Sequence, residues 1–143
     1  MQKSDITVTV TGRGELSGDE KIITAAPGRF YVKNGKKYIL YELPDENVPG
    51  QIVKHMLILR TASLEINKSA PGLKTRILYE LGKRTETDYA TPQGIISLSF
   101  ETDSFAVEEN DECLVVEISY RILMGDEVLS RNLLRIECLS KNA

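Results

Sequence analysis

The chain has no tryptophan, one histidine (His55) and two cysteines (Cys113 and Cys138), and each scarcity removes a class of chemistry. One imidazole cannot form a two-histidine metal site, and it leaves no spare for a serine–histidine–acid relay. Cys113, Cys138 and His55 also lack the short spacings of zinc ligands. No catalytic residue, metal ligand or cofactor is therefore expected. No apolar run reaches the ~18 residues that could span a bilayer, and Met1 to Asp5 lead into the next segment with no apolar signal stretch. Basic residues are not in surplus either. Lys and Arg number 18 against 21 Asp and Glu, a formal charge of −3, which argues against sequence-independent attraction to nucleic acid or an anionic membrane. The expectation is a cytoplasmic protein with neither among its partners.

What the chain has is alternation. In Leu114-Val115-Val116-Glu117-Ile118-Ser119-Tyr120-Arg121-Ile122 every second residue is apolar, the period of a half-buried strand. Ile6-Val8-Val10, Ile96-Leu98-Phe100 and Leu134-Ile136-Cys138 repeat it, and nothing reads as a long helix. Strands are expected over roughly 5–15, 20–33, 36–43, 52–60, 63–68, 73–90 with a break near Gly82, 94–107, 112–124 and 128–139. The reading is one all-β domain over 1–143, with about eight to ten antiparallel strands, a number that suits a closed barrel. A hydrophobic share of 41% is enough for one core. Gln51 to Arg60 breaks the alternation at Met56-Leu57-Ile58-Leu59, and a strand buried on both faces is preferred there to a short helix.

Turn residues fix two registers. Asn34-Gly35 is a type I′ hairpin signal, and counting outward pairs Tyr31 with Tyr38, Phe30 with Ile39 and Gly28 with Tyr41. Phe30, Ile39, Tyr41 and Leu43 then look inward, with Gly28 leaving room for the Tyr41 ring. Near the C-terminus a two-residue loop Gly125-Asp126 would mix apolar and polar faces. A three-residue loop Gly125-Asp126-Glu127 instead pairs Tyr120 with Asn132, Val116 with Ile136 and Leu114 with Cys138. That register keeps the two thiols unpaired. Further loops are expected at Leu16 to Glu20, Pro44 to Gly50, Ser69 to Gly72, Thr91 to Gly94 and Glu108 to Glu112. Gly12-Arg13-Gly14 with Gly18 does not match a dinucleotide fingerprint and reads as a bulge or turn. Glu108 to Glu112 lacks the spaced pattern of a calcium loop and reads as a solvated hairpin tip.

The least ordinary stretch is Gly82 to Gly94. Alternation puts Thr85, Thr87, Tyr89 and Thr91 on one face and Arg84, Glu86 and Asp88 on the other, so neither face is aliphatic. Inward hydroxyls need partners, which could be one another, water or a ligand. Asn132, facing inward opposite Tyr120, adds to the question.

These residues also carry a resemblance. Gly28-Arg29-Phe30-Tyr31-Val32 with Tyr38 and Tyr41, then Thr85, Tyr89, the turn Thr91-Pro92-Gln93-Gly94 and Asn132, resemble the YwiB-like proteins from about Ile6 to Glu137. These are small bacterial proteins classed as a domain of unknown function. The resemblance implies a calycin-like (lipocalin-like), up-and-down barrel whose interior could hold a ligand, and it brings no established activity or catalytic residue. The missing tryptophan separates the chain from secreted lipocalins.

Three functions follow as expectations. The first is a small, partly polar molecule bound inside the barrel by Tyr41, Thr85, Thr87, Tyr89, Tyr120 and Asn132. The second is a protein partner met by an outer face carrying Arg29, Tyr31, Lys33 and Tyr38, beside the Asn34-Gly35 tip. The third, an enzyme using a carboxylate pair that includes Glu42, ranks last because no nucleophile has an identifiable base beside it.

Overall fold

The computed structural model describes residues 1, 4–14, 21–45, 48–91 and 93–141, and alternation becomes strand almost wherever it occurs. Ten strands form among the described residues: β1 (Ser4–Gly14), β2 (Lys21–Lys33), β3 (Lys36–Pro44), β4 (Ile52–Leu59), β5 (Ser63–Ala70), β6 (Leu73–Glu80), β7 (Arg84–Thr91), β8 (Gly94–Glu109), β9 (Cys113–Met124) and β10 (Glu127–Ser140). The Leu16 to Glu20 loop, Glu46 and Asn47 of the Pro44 to Gly50 loop, and Pro92 of the Thr91 to Gly94 turn lie outside the described residues. No described helix is long and apolar enough to cross a membrane.

The strands make one antiparallel sheet in the order β6-β5-β4-β3-β2-β1-β10-β9-β8-β7. Every neighbour in that order is also a neighbour in sequence except β1 and β10, which pair from Ile6 with Ser140 to Gly14 with Asn132. The sheet thus curls into a nearly closed, up-and-down barrel whose seam falls between β6 and β7. Side chains close that seam in place of a ladder. Thr85 donates through its hydroxyl to the Leu78 carbonyl and Thr87 to the Arg76 carbonyl at 3.0 Å, while Gly82 N–H bonds to the Thr102 carbonyl at 3.0 Å.

The Asn34-Gly35 hairpin has the expected register, with Lys33 opposite Lys36 and Gly28 opposite Tyr41. Asn34 and Gly35 both have positive φ, 53° and 74°, as a type I′ turn requires. The last hairpin reaches its expected register by another route. The turn is the two-residue Gly125-Asp126 after all, with Met124 opposite Glu127, and the register shifts between Val128 and Ser130. Leu129 is the extra residue of a β-bulge. That single insertion restores Tyr120 opposite Asn132 and keeps Ile118, Leu134 and Ile136 on the inner face. A second bulge at Asp103 lies between Thr102 opposite Tyr120 and Ser104 opposite Ser119.

Phe30, Ile6, Ile39, Leu57, Leu64, Leu114, Ile118, Ile136, Val8, Val116 and Cys138 are sealed from solvent, so apolar side chains fill the middle of the barrel. β4 is a strand, alternating from Ile52 to Met56 and buried on both faces only from Leu57 to Leu59. The outer residue of that pair of faces, Ile58, lies opposite Glu65. Glu65 itself is buried and satisfied by Arg76 at 2.9 Å, Asn67 at 2.9 Å and Arg60 at 3.6 Å. These contacts hold its carboxyl below the usual carboxylate range.

Both thiols are free. Cys113 pairs with Leu139 and Leu114 with Cys138, so the two sulfurs sit on opposite faces of the sheet. Burial pushes the Cys138 thiol up to about 12. A thiol reagent at neutral pH should therefore modify Cys113 in the native protein and both cysteines after unfolding without reductant. Fewer than two reactive thiols in the unfolded chain would contradict the register.

Candidate functional site

The inner face becomes polar toward one mouth of the barrel. In an up-and-down arrangement the β1/β2, β3/β4, β5/β6, β7/β8 and β9/β10 connections gather at one end, and the inner polar residues of β5, β7 and β10 lie on that side of their strands. On the β7 to β10 wall, alternation and the Asp103 bulge put Phe100, Thr102, Tyr120 and Asn132 on the inner face. Tyr79 of β6 joins them across the seam.

The aromatic rings are packed edge-on. Tyr79 meets Tyr120 at a centroid distance of 4.7 Å and Phe100 at 5.7 Å, geometries that oppose ring edge to ring face. Burial raises the pKa of both phenols, and the neighbouring Tyr120 adds to the rise at Tyr79. Tyr89 lies close enough to feel Tyr120 and is likewise raised, mainly by burial. All three phenols are neutral donors at physiological pH.

Depth gives the site a floor and a rim. Tyr79, Phe100 and Thr102 are almost sealed, whereas Tyr89, Tyr120 and Asn132 are half-buried. The Asn132 side-chain amide donates to Ser130 Oγ at 2.9 Å, which leaves its carbonyl oxygen available. Thr102 is the anomaly of the floor. Its residue is 3% exposed, yet its hydroxyl has no hydrogen-bond partner, and a buried unmatched hydroxyl costs about 1–3 kcal/mol.

The opposite wall carries a second polar row. The ladders align Gly28, Tyr41, His55, Lys68 and Thr75 on adjacent strands. The Tyr41 and His55 rings stack at 4.6 Å with 13° between planes. His55 Nδ1–H donates to the Val53 carbonyl at 3.3 Å. Burial and the Lys68 charge lower the His55 pKa, and burial lowers that of Lys68. Tyr41 is pushed up by burial.

The six residues singled out from sequence therefore divide by position. Tyr120 lies opposite Asn132 and near Tyr89, Thr85 and Thr87 spend their hydroxyls on the seam, and Tyr41 sits in the facing row against His55. Three polar residues at the site escaped sequence reasoning, and a fourth, His55, was weighed there only as a lone imidazole. Tyr79 continues the inner parity of Ile77, a signal that alternation alone offered. Lys68 likewise continues Leu64 and Ile66, and a charge at a core parity was the available sign. His55 is inward because Val53, Leu57 and Leu59 are. Thr102 continues the inner parity of Leu98 and Phe100, because the bulge at Asp103 comes only after it; what alternation could not show is that its hydroxyl lacks a partner.

The outer surface carries shallow clefts floored by strand backbone. One of them, about 920 Å³, is lined by Arg29, Tyr31, Lys33 and Leu40. Tyr31 and Tyr38 stack beside it at 4.8 Å and 5°.

A nearly closed, ten-stranded antiparallel meander is consistent with a calycin-like fold. Residues 6–136 match the family described as Domain of unknown function (DUF1934), and the chain belongs to that family. The crystal structure of the YwiB protein from Bacillus subtilis has the same fold, with a TM-score of 0.83 and 22% identity, over 98% of this chain and 94% of that one. No curated protein matches the chain.

Proposed function

We propose that residues 1–143 form one cytoplasmic barrel domain that binds a small, partly polar molecule at the mouth bounded by Tyr89, Tyr120 and Asn132. The observation that carries this reading is the unpartnered Thr102 hydroxyl beneath half-buried phenols. A guest with one polar atom would satisfy it, with its apolar part against the rings of Tyr79, Phe100 and Tyr120. Among the earlier candidates, Thr85 and Thr87 would support the wall and Tyr41 would brace the far side.

The test is native mass spectrometry of protein purified from its own host, followed by analysis of whatever denaturation releases. A stoichiometric small molecule is expected, and it should be lost from the Thr102→Val and Asn132→Leu variants while Thr102→Val melts no lower than wild type. A bare chain of 16.0 kDa would reject the reading.

A second reading has its own observation. The Tyr31–Tyr38 stack beside the Arg29 and Lys33 cleft has the aromatic and arginine character of a protein interface. Recovery of the bare chain with a stoichiometric protein partner, released by Tyr31→Ala, would favour it.

A further inference from the structure

We propose that the molecule received at this mouth carries an oxyanion, a carboxylate or phosphate, and that Lys68 is its counter-charge. This deepens the mouth-binding reading and rests on it. Lys68 shares the inner face with Leu64 and Ile66, opposite His55 on β4 and Thr75 on β6. Among the described residues no carboxylate pairs with it, and the titratable group opposite it in register is His55, an imidazole that cannot neutralise an ammonium.

A buried charge on the same strand is treated differently. Glu65, three residues away on the opposite face of the same strand, is matched by two arginines and an asparagine. Lys68 is half-buried at a core parity, and drawing a charge partly out of water without a counter-ion costs stability, a cost that a charge arriving with a guest would offset. A lysine stem can also reach toward water and keep its ammonium solvated, and the experiment separates the two.

Lys68 is within reach of the rest of the site. Thr85 bonds to Leu78 and Thr87 to Arg76 across the seam, an antiparallel alignment that sets Thr75 between Thr87 and Tyr89. Inner residues therefore run Lys68, Thr75, Tyr89, Tyr120 around the mouth. A guest lying against Tyr120 and Tyr89 can extend its acidic end past the Thr75 hydroxyl to the ammonium.

Two dyes of similar shape test this: 1-anilinonaphthalene-8-sulfonate, which is anionic, and N-phenyl-1-naphthylamine, which is neutral. Lys68→Met should weaken the anionic dye by about tenfold or more while leaving the neutral dye within about twofold, as expected for removing a hydrogen bond to a charge. Lys68→Arg should restore anion binding, and Lys54→Met, on the outer face of β4, should leave both dyes unchanged. Equal loss of both dyes in Lys68→Met, or loss of neither, overturns the inference. If Tyr89→Ala still weakens both dyes in that case, the mouth reading survives without it. Failure of the wild-type protein to bind either dye overturns both.

Discussion

Gly28→Ala is expected to destabilise the protein by about 3 kcal/mol, a typical cost of overpacking a close-packed interior. A strand glycine is ordinarily a weakness, and alanine there is usually worth about 0.5–1 kcal/mol in the other direction. Here an added Cβ would lie 2.5 Å from the Leu40 carbonyl oxygen and 2.9 Å from Val8 Cγ2. Neither can retreat, because Leu40 is held in the β2–β3 ladder opposite Arg29 and Val8 is 1% exposed. Gly12, also in a strand, has nothing within 4 Å of the same position, so Gly12→Ala should be neutral or stabilising. The comparison is made by urea unfolding, and the Gly28 variant should also melt about 10 °C lower. An unchanged midpoint would mean that the β2–β3 ladder shifts more easily than its packing implies.

Removing both seam hydroxyls, Thr85→Val with Thr87→Val, is expected to cost about 3 kcal/mol, because each substitution leaves a strand carbonyl without its donor. Valine keeps the shape and β propensity of threonine, so the loss isolates the hydrogen bonds to Leu78 and Arg76. It should be localised as well as large. Amide exchange in β6 and β7 should accelerate more than in β1 and β10, whose ladder runs unbroken from Ile6 to Gly14. Uniform acceleration across all strands would mean that the seam opens only with global unfolding.

The barrel was legible in sequence because its determinants are local. Period-two patterning, Asn34-Gly35 and the Gly125 turn each act within a dozen residues, and together they gave nearly every strand and both checked registers. The C-terminal register is instructive: apolar matching identified it correctly although the loop length behind it was wrong, because the Leu129 bulge makes up the missing residue. Face consistency outweighed turn geometry. The site was less legible because it depends on where the sheet fails to close. Nothing in Arg84 to Thr91 indicates that this strand meets β6 without a ladder, so Thr85 and Thr87 read as ligand contacts when their hydroxyls are occupied by backbone. Tyr89, Tyr120 and Asn132 were recoverable from alternation, and so was the inward parity of Thr102 and Lys68; that neither finds a partner there depends on neighbours distant in sequence.

The pairing of β1 with β10 also bears on how the molecule is made. Six strands can form a meander as soon as they leave the ribosome, and the last four can form another, but each is an open sheet with bare edges until β10 docks along β1. The contact that joins them spans almost the whole chain, which makes it entropically late and slow. Until then β1 offers a long unpaired edge to any neighbouring nascent chain. Synthesis of this barrel therefore has a vulnerable interval that ends only with its final strand, and a holding chaperone acting in that interval would have β1 as its natural target.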